Sequence, residues 1–311
     1  MLKKLAGAVM LAAVILSFSA CSSEQAQDSG PYYSFTDDAG VSIVLKSKPQ
    51  KVGVLFSSYA EAYCDAGGQI YVTVGESVER GIVDSDVLLV DSGAGKTIDT
   101  EALISFEPDF VICSADIKAQ ADAAGLLNSA GIPAAQFHVE SFDDYLNMLK
   151  ILTDITGDSA AYQNNGLDVK QNIDRILSEA QNEDDTQRVL FIRSGSGYSS
   201  AKAKRGDDHF ACQMLSELGA YNIADDAPVL LDGLSIEHIL EQNPDFIFIT
   251  TMGDESAARA YMDSVLAQRA WQQLDAVKEG RYTYLPKDLF QFKPNSRWDE
   301  AYQYLKDVLY G

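Results

Sequence analysis

Two stretches of this chain share one pattern. Ile98-Asp99-Thr100-Glu101-Ala102-Leu103-Ile104 leads to Pro108-Asp109-Phe110-Val111-Ile112, and Leu234-Ser235-Ile236-Glu237-His238-Ile239-Leu240 leads to Pro244-Asp245-Phe246-Ile247-Phe248. The second copy follows the first by 136 residues throughout, with Glu, Pro, Asp and Phe identical and the apolar positions matched in type. Each copy reads as a short helix, a proline turn and a buried strand, with Asp99 and Ser235 placed to cap the helix. Two such units, one in each half of a 311-residue chain, predict two similar lobes.

The flanking segments agree. In the first half, Lys51–Phe56, Val87–Val90, Phe110–Cys113 and Ala134–Val139 are strand-like apolar runs, and in the second half Arg188–Ile192 and Phe246–Thr250 are. Helical stretches separate them, which is the signature of parallel α/β units. A hairpin opens the ordered part, with strands in 33–44 and a turn at Asp37-Asp38-Ala39-Gly40. Between 141 and 187 there is no strand-like run and no proline; Phe142, Tyr145, Leu149 and Leu152 recur at helical spacing. After Gly157 a second helical stretch, Ser159 to Ala180, is long enough at about 33 Å to act as a strut. The expected organisation is an N-terminal lobe over 33–140, a helical linker over 141–187 and a C-terminal lobe over 188–311.

The first thirty residues stand apart. Lys3 and Lys4 precede an apolar run, Leu5 to Leu16, that is too short to span a membrane and suits the core of a signal peptide. It ends in Phe18-Ser19-Ala20-Cys21, which resembles the lipobox of bacterial lipoproteins. Residues 1–20 are therefore expected to be cleaved, Cys21 to carry lipid that anchors the protein to the membrane, and 21–32 to be a tether.

Composition removes several functions. With 24 basic and 46 acidic residues the formal charge is −22, so no broad basic surface exists to neutralise nucleic acid. Three widely spaced histidines, His138, His209 and His238, do not suit a His-rich metal centre. Cys64, Cys113 and Cys212 are odd in number once Cys21 is set aside, and are expected to be free, mostly buried thiols with no catalytic role. An extracytoplasmic enzyme is the alternative from a different class, but its motifs fail. Gly95-Lys96-Thr97 lacks the earlier glycine of a phosphate loop, Val90 standing there, and no G-x-S-x-G elbow is present.

The lipobox, the opening hairpin, the strand from Lys51, the paired E-x-x-x-x-x-x-P-D-F motifs, Gly131-Ile132-Pro133 and Gly219-Ala220-Tyr221-Asn222-Ile223-Ala224 together resemble the iron-chelate and cobalamin class of ABC-transporter substrate-binding lipoproteins. The resemblance covers about 33–310. It implies an α/β fold of two Rossmann-like lobes joined by a single long helix, with ligand in the cleft between them, and a monomer that serves an ABC permease and its ATPase. It also implies that Glu101 and Glu237 dock against arginines of the permease.

In open α/β sheets ligands sit beyond the carboxyl ends of the strands. Reading off those ends gives Ser58, Tyr59 and Lys96 in the first lobe. In the second it gives Arg193, Tyr198, Lys202, Lys204, Arg205 and Met252, with the late segment Phe290-Gln291-Phe292-Lys293 adding Phe290. The three cations at 202–205 suit carboxylate, catecholate or phosphate oxygens, and Tyr59, Tyr198 and Phe290 offer flat apolar contact. The ligand expected first is a ferric siderophore, which brings its own iron ligands, so no resident cofactor or metal is expected. Haem or a corrinoid is the alternative. Haem would require an axial ligand from among Tyr59, Tyr198, His209 and Met252. The tryptophans that flank corrins in this class have no counterpart in Gly93–Thr97 or Leu230–Gly233.

Overall fold

The computed structural model describes residues 30–181 and 186–311. The lipobox and Cys21 lie outside the described residues. The strands are β1 (Tyr33–Thr36), β2 (Ser42–Leu45), β3 (Val52–Val54), β4 (Ile70–Thr73), β5 (Leu88–Leu89), β6 (Phe110–Ser114), β7 (Ala134–Phe137), β8 (Arg188–Ser194), β9 (Lys202–Ala203), β10 (Tyr221–Asn222), β11 (Phe246–Thr251) and β12 (Tyr282–Tyr284). β1 and β2 form the expected antiparallel hairpin. Its turn is tied to the edge of β7, where the Asp37 carboxylate accepts from the Gln136 N–H at 2.9 Å.

Two parallel sheets follow. One has the order β5-β4-β3-β6-β7 and the other β10-β8-β11-β12, with β9 antiparallel on the end of β8. The central strands β3 and β6 are buried along their whole length, as parallel strands covered by helices on both faces must be. Each sheet has its own outer core, one around Leu55, Val72, Leu103 and Leu127, the other around Ile192, Ile239, Met262 and Trp271. A third core is shared. It joins the inner faces of both sheets to the helices Phe142–Thr156, Asp168–Ala180 and Trp298–Tyr310. Trp298 is fully buried there, edge-on to Phe142 at 6.3 Å and to Phe210 at 5.4 Å, so one side chain touches residues of both halves.

The connecting segment is helical, as read from sequence. Ser141 and Asp144 close a capping box at its start, and Gly157 ends the first helix in the left-handed conformation with φ 81°. The second stretch runs from Ser159 to Ala180 with a π-helical turn at Gln163–Leu167.

The repeated motif has one physical job in both lobes. Asp109 accepts from the backbone N–H of Gln50 at 2.7 Å and of Lys51 at 2.9 Å, at the start of β3. Asp245 accepts from the N–H of Arg188 at 2.8 Å, at the start of β8. Each aspartate thus ties the beginning of its own strand to the parallel neighbour. The residue before the proline is left-handed in both copies, Glu107 at φ 51° and Asn243 at φ 39°. Glu pays a steric cost there that Asn largely avoids. The caps differ: Asp99 accepts from the Ala102 N–H at 2.9 Å. Ser235 makes no such bond, and its hydroxyl lies 3.3 Å from His238 Nδ1 instead.

Candidate ligand-binding site

A cavity of about 200 Å³ opens where the strands of the second sheet end. β8 delivers Arg193 and β11 delivers Thr250 and Thr251 in register beside it, with Met252 just beyond. β9 pairs Lys202 with Arg193 and so folds the basic loop back over the end of β8. Asp208, His209 and Phe210, at the start of helix Phe210–Glu217, form another wall, and Phe290, Gln291 and Lys293 a third. The first lobe contributes Glu140, immediately before the capped helix Phe142–Thr156. The cavity is therefore inter-lobe.

His209 sets the polarity of the floor. Its ring stacks on Phe210 and tilts against Phe191, both with centroids at 4.7 Å. Nδ1 accepts from the Ala211 N–H at 3.2 Å, so the ring proton resides on Nε2. Burial, and then the charges of Lys293, Arg193 and Lys204, push its pKa down from 6.5 to about 3. The ring is neutral, and the positive potential comes from the three cations around it. Lys204 itself is held below the ordinary lysine range by burial and then by Arg193. Arg193 and Lys204 make no ion pair among the described residues. Lys293 does: its Nζ donates to Glu140 Oε1 at 2.9 Å across the lobe boundary, and it lies 4.9 Å from the centre of the Phe210 ring.

The segment carrying Lys293 is strapped to the first lobe. The Lys293 N–H donates to Ser58 Oγ at 3.2 Å. Asn295 Nδ2 donates to the Ser58 carbonyl at 2.8 Å and to Glu61 at 2.9 Å, and Ser296 donates to Asp65 at 2.8 Å.

Of the ten residues expected to meet ligand, Arg193, Met252 and Phe290 line the cavity, with Lys204 close behind them. The others are placed elsewhere. The first helix, Ser57–Asp65, already includes Ser58 and Tyr59 and turns both into the core. Both are fully buried; Tyr59 donates to the Phe137 carbonyl at 3.0 Å, and burial drives its phenol well above the ordinary range. Lys96 is exposed on the loop after β5 and does not line the cavity. Arg205 lies 3.8 Å from Asp208 and turns aside from the cavity, and Lys202 sits on β9 outside the lining. Tyr198 is 70% exposed in a separate groove with Ile236, Glu237, Tyr261 and Trp271. Glu140, Asp208 and Thr250 escape the sequence reading, which reaches Thr251 only as the strand-end neighbour of Met252 and takes His209 only as a possible haem ligand. It included Lys293 in a candidate segment without singling it out.

Glu101 and Glu237 occupy the same position, second in their helices, and both are exposed. Neither makes an ion pair among the described residues. Cys64, Cys113 and Cys212 are free, the last two buried, as expected. Among the described residues no cluster of His, Cys, Asp and Glu could hold a metal ion, and no helix is long and apolar enough to cross a membrane.

Two parallel α/β sheets, a helical connection and an inter-lobe cavity at the strand ends define a bilobal solute-binding protein. The chain belongs to the periplasmic binding protein family, whose pattern it matches over residues 54–289, and it is a binding protein rather than an enzyme. No curated protein sequence matches it. Among solved structures, it is similar to an ABC transporter substrate-binding protein from Listeria monocytogenes, with 17% identity over 85% of this chain and 99% of that one and a TM-score of 0.68. It is also similar to S. aureus IsdE complexed with heme, with 15% identity, 84% and 100% coverage and a TM-score of 0.67. Staphylococcus aureus SirA complexed with staphyloferrin B gives 14% identity, 89% and 97% coverage and a TM-score of 0.67. At these identities the likeness is one of fold.

Proposed function

We propose that this protein is the lipid-anchored, extracytoplasmic substrate-binding component of an ABC importer, and that it captures a ferric siderophore and hands it to the permease. The observation that carries the ligand class is the convergence of Arg193, Lys204 and Lys293 around a neutral His209, in a chain of net charge −22. Fixed cations in a partly desolvated pocket recognise the carboxylate or catecholate oxygens of a chelate. The chelate supplies its own iron ligands, so the protein needs none. The pocket is smaller than a whole-ligand site of ~300–1,000 Å³, so it suits one acidic arm while the rest of the chelate lies across the mouth. SirA, a similar fold, was solved with staphyloferrin B.

Haem fits less well. Of the four axial candidates only Met252 offers a free ligating atom at the cavity; Tyr59 is buried, Tyr198 lies in another groove, and His209 spends Nδ1 on a backbone N–H. For a corrinoid, Trp271 and Trp298 are both buried, and neither lines the cavity. Lipid on Cys21 would hold the protein at the membrane, and Glu101 and Glu237, one per lobe, would meet cations of the permease.

The test is a thermal-shift and tryptophan-fluorescence screen of ferric siderophores, haem and corrinoids. Trp298 packs on Phe210, a cavity-lining residue, and can report occupancy. A ferric siderophore is expected to respond. A response only to sugars, peptides or amino acids would end the iron-chelate reading.

A further inference from the structure

Of the two carboxylates that line the cavity, Asp208 lies beside Arg205, which is outside the lining, whereas Glu140 holds a cation of the site itself. Among the described residues Glu140 is the sole first-lobe side chain in the lining, and its Oε1 accepts from Lys293 Nζ at 2.9 Å. The ammonium is the more enclosed partner, with 13% of its side chain exposed against 40% for Glu140. Both backbones are fixed. The Glu140 N–H donates to Asp144 at 3.1 Å, within the capping box of helix Phe142–Thr156, and the Lys293 N–H is held on Ser58. Only the two side chains are therefore free to swing. The helix N-terminus beside Glu140 favours its negative charge whether or not it is paired.

We infer that Glu140 is a surrogate ligand: in the empty protein its carboxylate occupies the lysine that an acidic arm of the chelate takes over. The inference rests on the anionic-ligand reading above and names the residue that sets the threshold for entry. A weak or singly charged anion cannot displace a carboxylate already held at hydrogen-bond distance, whereas a ligand that also engages Arg193 and Lys204 can. Glu140 thereby selects for multidentate anions. On displacement it turns outward, staying at the helix N-terminus, while Lys293 keeps its contact with the Phe210 ring.

The experiment uses Glu140→Gln, Lys293→Met and the double variant of the full chain. Ferric siderophores and iron-free citrate, a small tricarboxylate, serve as probes by isothermal titration. Gln keeps a hydrogen-bond acceptor for Lys293 and removes only the charge, so folding is not challenged; unchanged thermal midpoints check this. Glu140→Gln is expected to bind the responding siderophore about 10-fold more tightly, because one charge-assisted hydrogen bond becomes available to the ligand without competition. It is also expected to gain measurable affinity for citrate. Lys293→Met should bind more weakly than wild type, and the double variant should match Lys293→Met. Siderophore affinity that is equal or weaker in Glu140→Gln overturns the surrogate role and leaves the iron-chelate reading standing. Citrate binding by Glu140→Gln, with no siderophore bound by any variant, keeps the surrogate role and removes the iron-chelate reading. Binding of neither probe by any variant overturns both.

Discussion

Lowering the pH from 7 to 5 will cost the protein about 2 kcal/mol of stability through His209 alone. The imidazole is enclosed between two phenyl rings, and its Nδ1 is committed to the Ala211 N–H. Burial and the neighbouring Lys293, Arg193 and Lys204 hold its pKa at about 3, against 6.5 for the free side chain. The unfolded chain takes up a proton below about 6.5, whereas the folded chain does so only near 3. The stabilisation is therefore complete above 6.5 and is lost as the pH falls through that window. At pH 5 the deficit is about one and a half pH units, and ~1.36 kcal/mol per unit gives about 2 kcal/mol. Asp38 and Asp65 have carboxyl pKa values raised by burial and act in the opposite sense, so the measurement must be a difference. Urea unfolding of wild type and His209→Asn at pH 7 and pH 5 provides it. Asn can still cap helix Phe210–Glu217, as the imidazole does. Wild type should lose about 2 kcal/mol more than the variant between the two pH values. Parallel losses would mean that the ring protonates in place, and the account of a neutral floor beneath three cations would be wrong.

Two further outcomes follow from the same geometry. Arg193→Met should weaken siderophore binding about 10- to 150-fold, the worth of a charge-assisted hydrogen bond, while Lys202→Ala and Arg205→Ala stay within about threefold of wild type. Isothermal titration that ranks Arg205 above Arg193 would return the site to the outer part of the basic loop. Glu101→Ala combined with Glu237→Ala should abolish chelate uptake in cells with ligand affinity intact, the double change being far clearer than either single one because exposed ion pairs are weak; undiminished uptake would free both glutamates of a docking role.

The parts of this fold that could be read in the sequence are those whose chemistry is local. β3, β6, β8 and β11 are continuous apolar runs because helices cover both faces of a parallel sheet, and all four stand out. β4 and β12 escape notice because Ile70-Tyr71-Val72-Thr73 and Tyr282-Thr283-Tyr284 are short and mix polar with apolar side chains. The two-residue β9 lies within a loop of small and basic residues that carries no strand signal, yet it decides which cations face the cavity. Ser58 and Tyr59 follow a strand end in the sequence, but they lie within the first turn of helix Ser57–Asp65, which makes them core rather than ligand contacts. The repeated aspartate could be seen at 109 and 245, but its role of tying down the neighbouring strand depends on which strands become neighbours. The Lys293–Glu140 contact joins positions 153 residues apart and has no local signature at all.

The net charge of −22 and a site for an anion are compatible once distance is considered. At physiological ionic strength the field of a surface charge fades over about 8 Å, so an anion in the cavity responds to the groups that line it and not to the distant acidic surface. Arg193 and Lys293 in the lining balance the two lining carboxylates, Glu140 and Asp208, and Lys204 close behind them tips the balance to positive. Moreover, Arg205 lies beside Asp208 and Lys293 is paired with Glu140, whereas Arg193, near the end of β8, and Lys204 make no ion pair among the described residues. On the proposed function, the acidic exterior bears on another partner, the permease. It slows the approach of an anionic chelate but favours a cationic one, and a permease face bearing basic residues opposite Glu101 and Glu237 would be such a partner. One chain can therefore present a negative surface to its transporter and a positive pocket to its cargo, provided the pocket's cations are fixed by the fold. β8, β9 and the strap on Ser58 fix them.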